Sequence, residues 1–456
     1  MILFNPRQTC LWIHRYTGLV MAAFLIMAGI TGALLAFHDE LDDIFNQRLA
    51  VVEQAQTPPL SIATLHDKVI KRYPEYGFST MPAVIEPNRA VIFAIDKYKG
   101  DIKVEPKPLF QEIYINPYTA DIIGARDKDE WAWRNTMWKV FWLHRELLLG
   151  DIGKLILGIV ALVWTINCFI GFYLTLPRTV KKNYVSRQEP AKKRASLLKR
   201  WLPAWKIRRN TNTFKLNYDV HHAFGLWLWL MFFVIAWSSV GFNLQQVYKP
   251  VMQAVVGLEG REGKTNKSNP SGKSAVQPLT ASKTLSNEND VDVVNKANSI
   301  DYLSKQADIA AQQNGLSVTQ LLGMRWVEED NQWQLRFTTN KDIGKKGGAS
   351  SITVNASGGS VERVNFSYQS ASFGSKTDQW LSTLHMGHIS QGAGHLLYQI
   401  FLALIGLAVA ILSGTGVYLW YKGRQQRLKA AKKYKRQSLE LISITPYQQS
   451  LDDLDG

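Results

Sequence analysis

Residues 16–37, YTGLVMAAFLIMAGITGALLAF, run for 22 positions without a charge. At about 1.5 Å per residue, a helix of that length covers a hydrocarbon core of about 30 Å. Three further uncharged stretches of similar length, 155–176, 223–247 and 396–421, repeat the pattern. Between them the chain is polar, so the mean hydropathy of −0.12 hides a four-span membrane protein. Four spans within 456 residues exclude a soluble cytosolic enzyme. The first span is too long for the apolar core of a cleaved signal peptide. The two cysteines, Cys10 before the first span and Cys168 inside the second, sit at different depths, which argues against a disulfide.

The net charge of +16 comes from 53 Lys and Arg against 37 Asp and Glu. Residues 177–220 hold 13 Lys and Arg, with Glu189 and Asp219 as the only acids. Residues 422–436 hold eight more cations, beginning Lys422, Arg424 and Arg427. Cations accumulate on the cytoplasmic side of spans. Both segments and the N-terminus are therefore expected inside, and the long segments 38–154 and 248–394 outside. The charge orients the protein in its membrane and gives no reason to expect nucleic acid as a partner. Within the basic loop, 195–209 (ASLLKRWLPAWKIRR) mixes Leu, Trp and Arg, as a segment lying on an anionic leaflet does.

The first outer segment reads as a small α+β module. Residues 61–73 (SIATLHDKVIKRY) have helical spacing, and 91–96 and 111–115 read as strands. A turn at 116–119 leads into a return strand at 120–124. The second outer segment repeats this plan, with a helix at 301–313, strands at 333–338 and 352–355, a turn at 356–359 and a strand at 360–365. Residues 257–290, rich in Ser, Asn, Lys and Gly, read as a disordered tether.

The segment EIYINPYTADIIG (112–124) resembles a PepSY domain, with its strand, Pro-x-Thr turn and second strand. SITVNASGGSVERV (351–364) is similar but has Ala356 in place of the turn proline. The order span, module, span, basic loop, span, module, span resembles that of the PepSY-associated transmembrane family. The resemblance implies a membrane α-helical fold, a four-transmembrane-helix bundle with two periplasmic α+β PepSY-like domains. The expected divisions are the N-terminus and first span at 1–38, a PepSY domain at 39–142, and an interfacial helix with the second span at 143–177. A basic loop at 178–220, the third span at 221–247 and a linker at 248–298 follow. A second PepSY-like domain at 299–380, an interfacial segment with the fourth span at 381–421 and a tail at 422–456 complete the chain. The family includes inner-membrane ferrisiderophore reductases carrying b-type haem. The resemblance thus implies a bacterial inner-membrane oxidoreductase that passes electrons to a ferric siderophore or other ferric chelate in the periplasm.

The spans also repeat internally. HRYTGL begins at His14 and HHAFGL at His221, while LHRELLLGDIGK before span two matches LHMGHISQGAGH before span four, aligning His144 with His385. Spans two and four close alike, with Gly171-Phe-Tyr-Leu and Gly416-Val-Tyr-Leu. A six-coordinate haem takes two axial ligands, and helix bundles build such sites from facing helices. The repeat therefore nominates His14 and His221 for one haem b near the inner face, and His144 and His385 for a second near the outer face. Gly18 and Gly225, one turn beyond their histidines, and Gly158 and Gly394 are candidates to leave room for a flat macrocycle. Arg15 and Arg145 are candidates to pair with propionates.

His38, His222 and His395 are alternative ligands. His66 reads as module surface. His385 and His388 have a spacing that zinc accepts, but too few further ligands lie nearby. Trp131, Trp133, Trp138 and Trp142 suit an interfacial belt or an aromatic platform, and Trp164, Trp229 and Trp237 suit packing within the spans. No nucleotide or flavin motif is present, so the donor would be a protein, a quinol or a diffusible reductant. Two other readings remain at this point: a non-enzymatic PepSY membrane protein that regulates a partner such as a peptidase, and a transporter. The absence of acidic residues and of any evident helix break inside the spans argues against the transporter.

Overall fold

The structure, a computed structural model, describes residues 5–74, 76–95, 109–178, 196–258, 299–327, 330–344, 349–389 and 393–452. In chain order the elements are α1 (Pro6–Leu35), α2 (His38–Phe45), α3 (Gln47–Ala50), α4 (Ile62–Arg72), β1 (Thr80–Met81), β2 (Val91–Ala94), β3 (Glu112–Ile115), β4 (Ile122–Arg126), α5 (Thr136–Glu146) and α6 (Gly150–Thr175). There follow α7 (Leu197–Trp201), α8 (Thr213–Trp227), α9 (Trp229–Asn243), α10 (Gln245–Val256), α11 (Ser299–Gln313), β5 (Val318–Val327), β6 (Gln332–Thr339), β7 (Ser350–Asn355), β8 (Val361–Asn365), α12 (Ser367–Ser370), α13 (Phe373–Met386) and α14 (Ala393–Asp452). They gather into two compact units. A helical unit holds 1–33, 149–243 and 403–456, and a mixed unit holds 34–148 and 244–402.

In the helical unit α1, α6 and the Gly394–Gln437 part of α14 are each long and apolar enough to cross a membrane. The third expected span, 221–247, is not one straight helix: α8 and α9 meet at Leu228 with a bend of 70°, giving three spans, or four if the bent pair counts as one. This corrects the expectation of unbroken spans. No proline marks the break. It coincides with Trp229, whose indole N–H donates to the Cys168 carbonyl at 2.9 Å, so α9 is tied to α6 from its first residue. Met21 and Leu25 of α1, Trp164 and Cys168 of α6, Phe232 and Ala236 of α9, and Ile405, Ala408 and Val409 of α14 form one buried cluster. At Gly29 and Gly406 the backbones of α1 and α14 nearly touch, since a Cβ on either would lie 2.5 Å from the other's carbonyl oxygen. Small residues permit such close packing in membrane helices. The last helix does not end near 421 but runs on to Asp452. Part of the expected leaflet-lying segment forms α7 and a 3₁₀ turn at Leu202–Trp205, where Trp201 Nε1–H donates to Thr175 Oγ1 at 3.1 Å.

In the mixed unit α4 starts where Ser61 caps it, accepting from the Thr64 N–H at 3.1 Å. Strands β2, β3 and β4 form an antiparallel meander. The return strand starts at Ile122 rather than 120, because Ala120 takes a left-handed conformation (φ 59°) in the turn held by Asn116. The second segment forms α11 and four antiparallel strands. The two segments are not separate domains. β1 from the first pairs with β5 from the second, giving a five-stranded sheet in the order β1-β5-β6-β7-β8. Leu65, Val69, Phe93 and Ile113 from one segment and Leu303, Ala307, Leu335 and Phe337 from the other share a single buried core. A helix on a few short strands has too little apolar area to form an independent core, and merging the two solves this. The expected tether lies outside the described residues from 259 onward, as do loop residues 179–195.

Arg126, 1% exposed, ties the mixed unit together. Its Nη1 and Nη2 grip both carboxylate oxygens of Asp42 at 2.7 and 2.8 Å. Its Nε donates to Asn135 Oδ1 at 2.9 Å, and Nη2 also donates to the Arg134 carbonyl at 2.7 Å. Burial works against the charge, but the Asp42 carboxylate and the Tyr114 hydroxyl, 3.3 Å from Nη1, outweigh it and raise the Arg126 pKa, so the guanidinium stays charged. The cluster fixes α2 against the turn that leads into α5.

Candidate functional site

The four histidines nominated by the repeat meet as two pairs. His14 on α1 faces His221 on α8, with ring centres 6.3 Å apart and planes at 73°. His144 on α5 faces His385 on α13, with ring centres 6.4 Å apart and planes at 74°. Two imidazoles that bind one metal on opposite sides through Nε2, with metal–nitrogen bonds of about 2.0 Å, place their ring centres roughly 6.3 Å apart. Both pairs have that spacing.

Hydrogen bonding fixes the tautomers of the first pair. Asn167 on α6 donates through Nδ2 to Thr17 Oγ1 and to the Val163 carbonyl, both at 2.9 Å. The Thr17 hydroxyl proton goes to the Ile13 carbonyl at 2.7 Å, so its oxygen is the acceptor. The Asn167 amide is thereby oriented with Oδ1 toward His14 Nδ1, 2.9 Å away, and Nδ1 carries the proton. His221 Nδ1 lies 3.1 Å from the Leu412 carbonyl, which can only accept, and 3.1 Å from Thr415 Oγ1, whose own proton goes to the same carbonyl. It too is protonated at Nδ1. In both rings Nε2 is left with the lone pair that a metal requires.

Glycines make room on two sides. A Cβ on Gly171 would lie 3.2 Å from His14 Cε1, and a Cβ on Gly416 would lie 3.2 Å from His221 Cε1. The matching ends of spans two and four are therefore each the wall behind one imidazole. Gly18 and Gly225 have nothing within 4 Å of where a Cβ would stand. They line a cavity of about 1320 Å³ around the pair, together with Arg15, His222, Trp420 and Arg427. Trp420 Nε1 is buried with no partner among the described residues.

The second pair is built differently. His144 and His385 each sit in the last turn of a short helix. Both helices end in left-handed residues, Leu147 and Leu148 (φ 55° and 58°) after α5 and Gly387 (φ 79°) after α13. The Arg145 guanidinium lies over Phe141 and Trp142, 5.8 and 5.9 Å from the ring centres.

Among the described residues, none of the alternative histidines faces another imidazole from a different helix; His222 lies 6.1 Å from His221 with planes at 66°, but on the same helix α8. His38 stands edge-on to Trp138 at 5.4 Å, and its Nδ1 lies 2.9 Å from Asp39 Oδ1. His222 lines the cavity but stacks on Tyr218 at 3.9 Å. His395 opens α14, with Nδ1 buried and unpartnered among the described residues. His66 is not surface: it is 3% exposed, with Nε2 bonded to the Phe78 carbonyl. Gly158 is buried in α6, and Gly394 is exposed. Among the described residues no group of three or more His, Cys, Asp or Glu could hold a metal ion, so a zinc site at His385 and His388 has no support. Trp138, Phe141 and Trp142 form an aromatic cluster, with Lys128 over Trp138 at 4.1 Å, while Trp131 and Trp133 are exposed.

Sequence reading missed Asn167, Thr415 and Trp420 because a lone polar or aromatic residue in a span has no periodicity to mark it. Gly171 and Gly416 were visible as a repeat, but their contact with the imidazoles was not. No curated protein matches the chain. The family model described as the PepSY-associated TM region matches residues 11–422, nearly the whole chain. With its membrane helices and its β-sheet unit, the chain belongs to the PepSY-associated TM family.

Proposed function

We propose that this protein is a haem-dependent reductase of the bacterial inner membrane that delivers electrons to a ferric siderophore or other ferric chelate. The observation that carries the proposal is the matched spacing of the two histidine pairs, 6.3 and 6.4 Å. The first site fits a haem b in three further respects. Both imidazoles present an unprotonated Nε2, Gly18 and Gly225 leave a face clear for a flat ring, and the cavity lining includes an orphan donor at Trp420 Nε1 as well as Arg15 and Arg427.

In this reading His14 and His221 hold one haem b, and His144 and His385 hold a second. The helices form a four-helix bundle with N- and C-termini in the cytoplasm, and the sheet unit stands in the periplasm, as the distribution of Lys and Arg favours. When bound, each haem supplies a one-electron ferric/ferrous couple. Asn167, Leu412 and Thr415 hold the Nδ1 protons and orient the first two rings. Arg15, Arg427 and Trp420 bind propionate carboxylates at the first site, and Arg145 is the candidate cation at the second. A protein, a quinol or a diffusible reductant supplies one electron per Fe(III), and Fe(II) is released because hard oxygen donors hold it less tightly. No acid, base or nucleophile is needed.

Haem quantitation on the purified, full-length protein, with dithionite-reduced spectra, tests the proposal. About two haems per chain and a Soret band that shifts on reduction are expected. A colourless preparation from haem-replete cells overturns the proposal and leaves a non-enzymatic partner-binding protein.

A further inference from the structure

The two copies of the span repeat match Gly171 with Gly416, and four residues before each glycine stand Asn167 and Leu412. These positions do the same work by different means. His14 Nδ1–H is taken by the side-chain carbonyl of Asn167 at 2.9 Å, and His221 Nδ1–H by the main-chain carbonyl of Leu412 at 3.1 Å. The first ring relies on a side-chain acceptor alone, whereas the second has a main-chain carbonyl, with Thr415 Oγ1 a further partner at 3.1 Å. Asn167 is buried, and both its Nδ2 protons are committed to Thr17 and Val163, so it cannot turn its oxygen away.

We infer that Asn167 is a positioning residue that sets the reduction potential of the iron held by His14 and His221. The inference rests on the haem reading above. A carbonyl gripping Nδ1–H pushes electron density to Nε2 and stabilises the more oxidised metal. Losing that acceptor makes the imidazole a weaker donor and favours the ferrous state. Asn167→Leu copies the residue of the second repeat into the first, where the backbone carbonyl of residue 167 is not the group that receives Nδ1. Thr17→Val is nearly isosteric and removes one of the two acceptors that hold the amide, so its effect has the same sign and is smaller.

Potentiometric titration of the full-length protein, with the haem of His144 and His385 as internal reference, is the test. In Asn167→Leu the equilibrium of the haem that disappears in His14→Ala shifts about tenfold toward the ferrous form, a midpoint roughly 59 mV higher for one electron. Thr17→Val raises the same midpoint by less, and the reference haem does not move in either. An unchanged midpoint in Asn167→Leu overturns the assignment. So does loss of that haem from both variants with the other retained, which would make Asn167 a folding residue only. A wild-type protein without haem defeats the underlying proposal instead, which separates the two failures.

Discussion

The two histidine pairs have almost the same geometry and very different foundations. His14 stands in the long apolar α1 and His221 in α8, the first half of the bent pair, each backed by a glycine of another helix and each held at Nδ1 by a named acceptor. His144 and His385 end short helices in a unit whose core is a shared sheet, and α5 begins beside the Arg126–Asp42 cluster. The spacing of 6.3 to 6.4 Å is therefore not a by-product of one type of helix packing. The proposed haem sites would ask the same of both pairs, two ligands across one metal.

Substitution of the histidines should break the comparison most severely. His14→Ala or His221→Ala should remove one haem, and His144→Ala or His385→Ala the other, each lowering haem per chain by about half in a pyridine haemochromogen assay. Unchanged haem in all four variants rejects the pairing. Asp42→Ala separates the two foundations: leaving the buried Arg126 with only Glu112, 3.7 Å from Nη1, as a carboxylate partner should cost about 3 kcal/mol, confined to the mixed unit. Spectra of the heated protein should show the haem of His144 and His385 lost first, and simultaneous loss of both would contradict the division.

Gly171→Ala and Gly416→Ala act on the other side. A methyl 3.2 Å from Cε1 forces the ring to move, with overpacking of about 1–3 kcal/mol. Low-temperature EPR should show altered g values for one haem and not the other. The smallest effect is expected at the strained end of α5. Leu148→Gly removes a left-handed leucine and should raise the stability of the mixed unit by up to about 1 kcal/mol, after the entropy cost of glycine. A fall in the denaturant midpoint would show instead that the Leu148 side chain is needed.

Much of this was legible in one sequence because it is written in short-range pattern. Span length located α1, α6 and the membrane part of α14, and alternation located β6 and β7. The internal repeat nominated the four paired histidines before any geometry was available. β5 was invisible because its register shifts at 318–320 and 321–323 spoil the alternation. The break at Leu228 carries no proline to announce it. His66 and Arg126 look like surface residues by type, and only their partners reveal that they are buried.

Local chemistry thus decided which segments enter the membrane and which imidazoles correspond, because helix length, charge and repetition are properties of neighbours along the chain. The tertiary structure alone decided that the two segments between the spans share a core through β1 and β5, that Asn167 grips His14, and that Gly171 and Gly416 stand behind the rings. Each of those contacts joins residues far apart in sequence, and no periodicity of the chain encodes a contact made only when helices and strands pack.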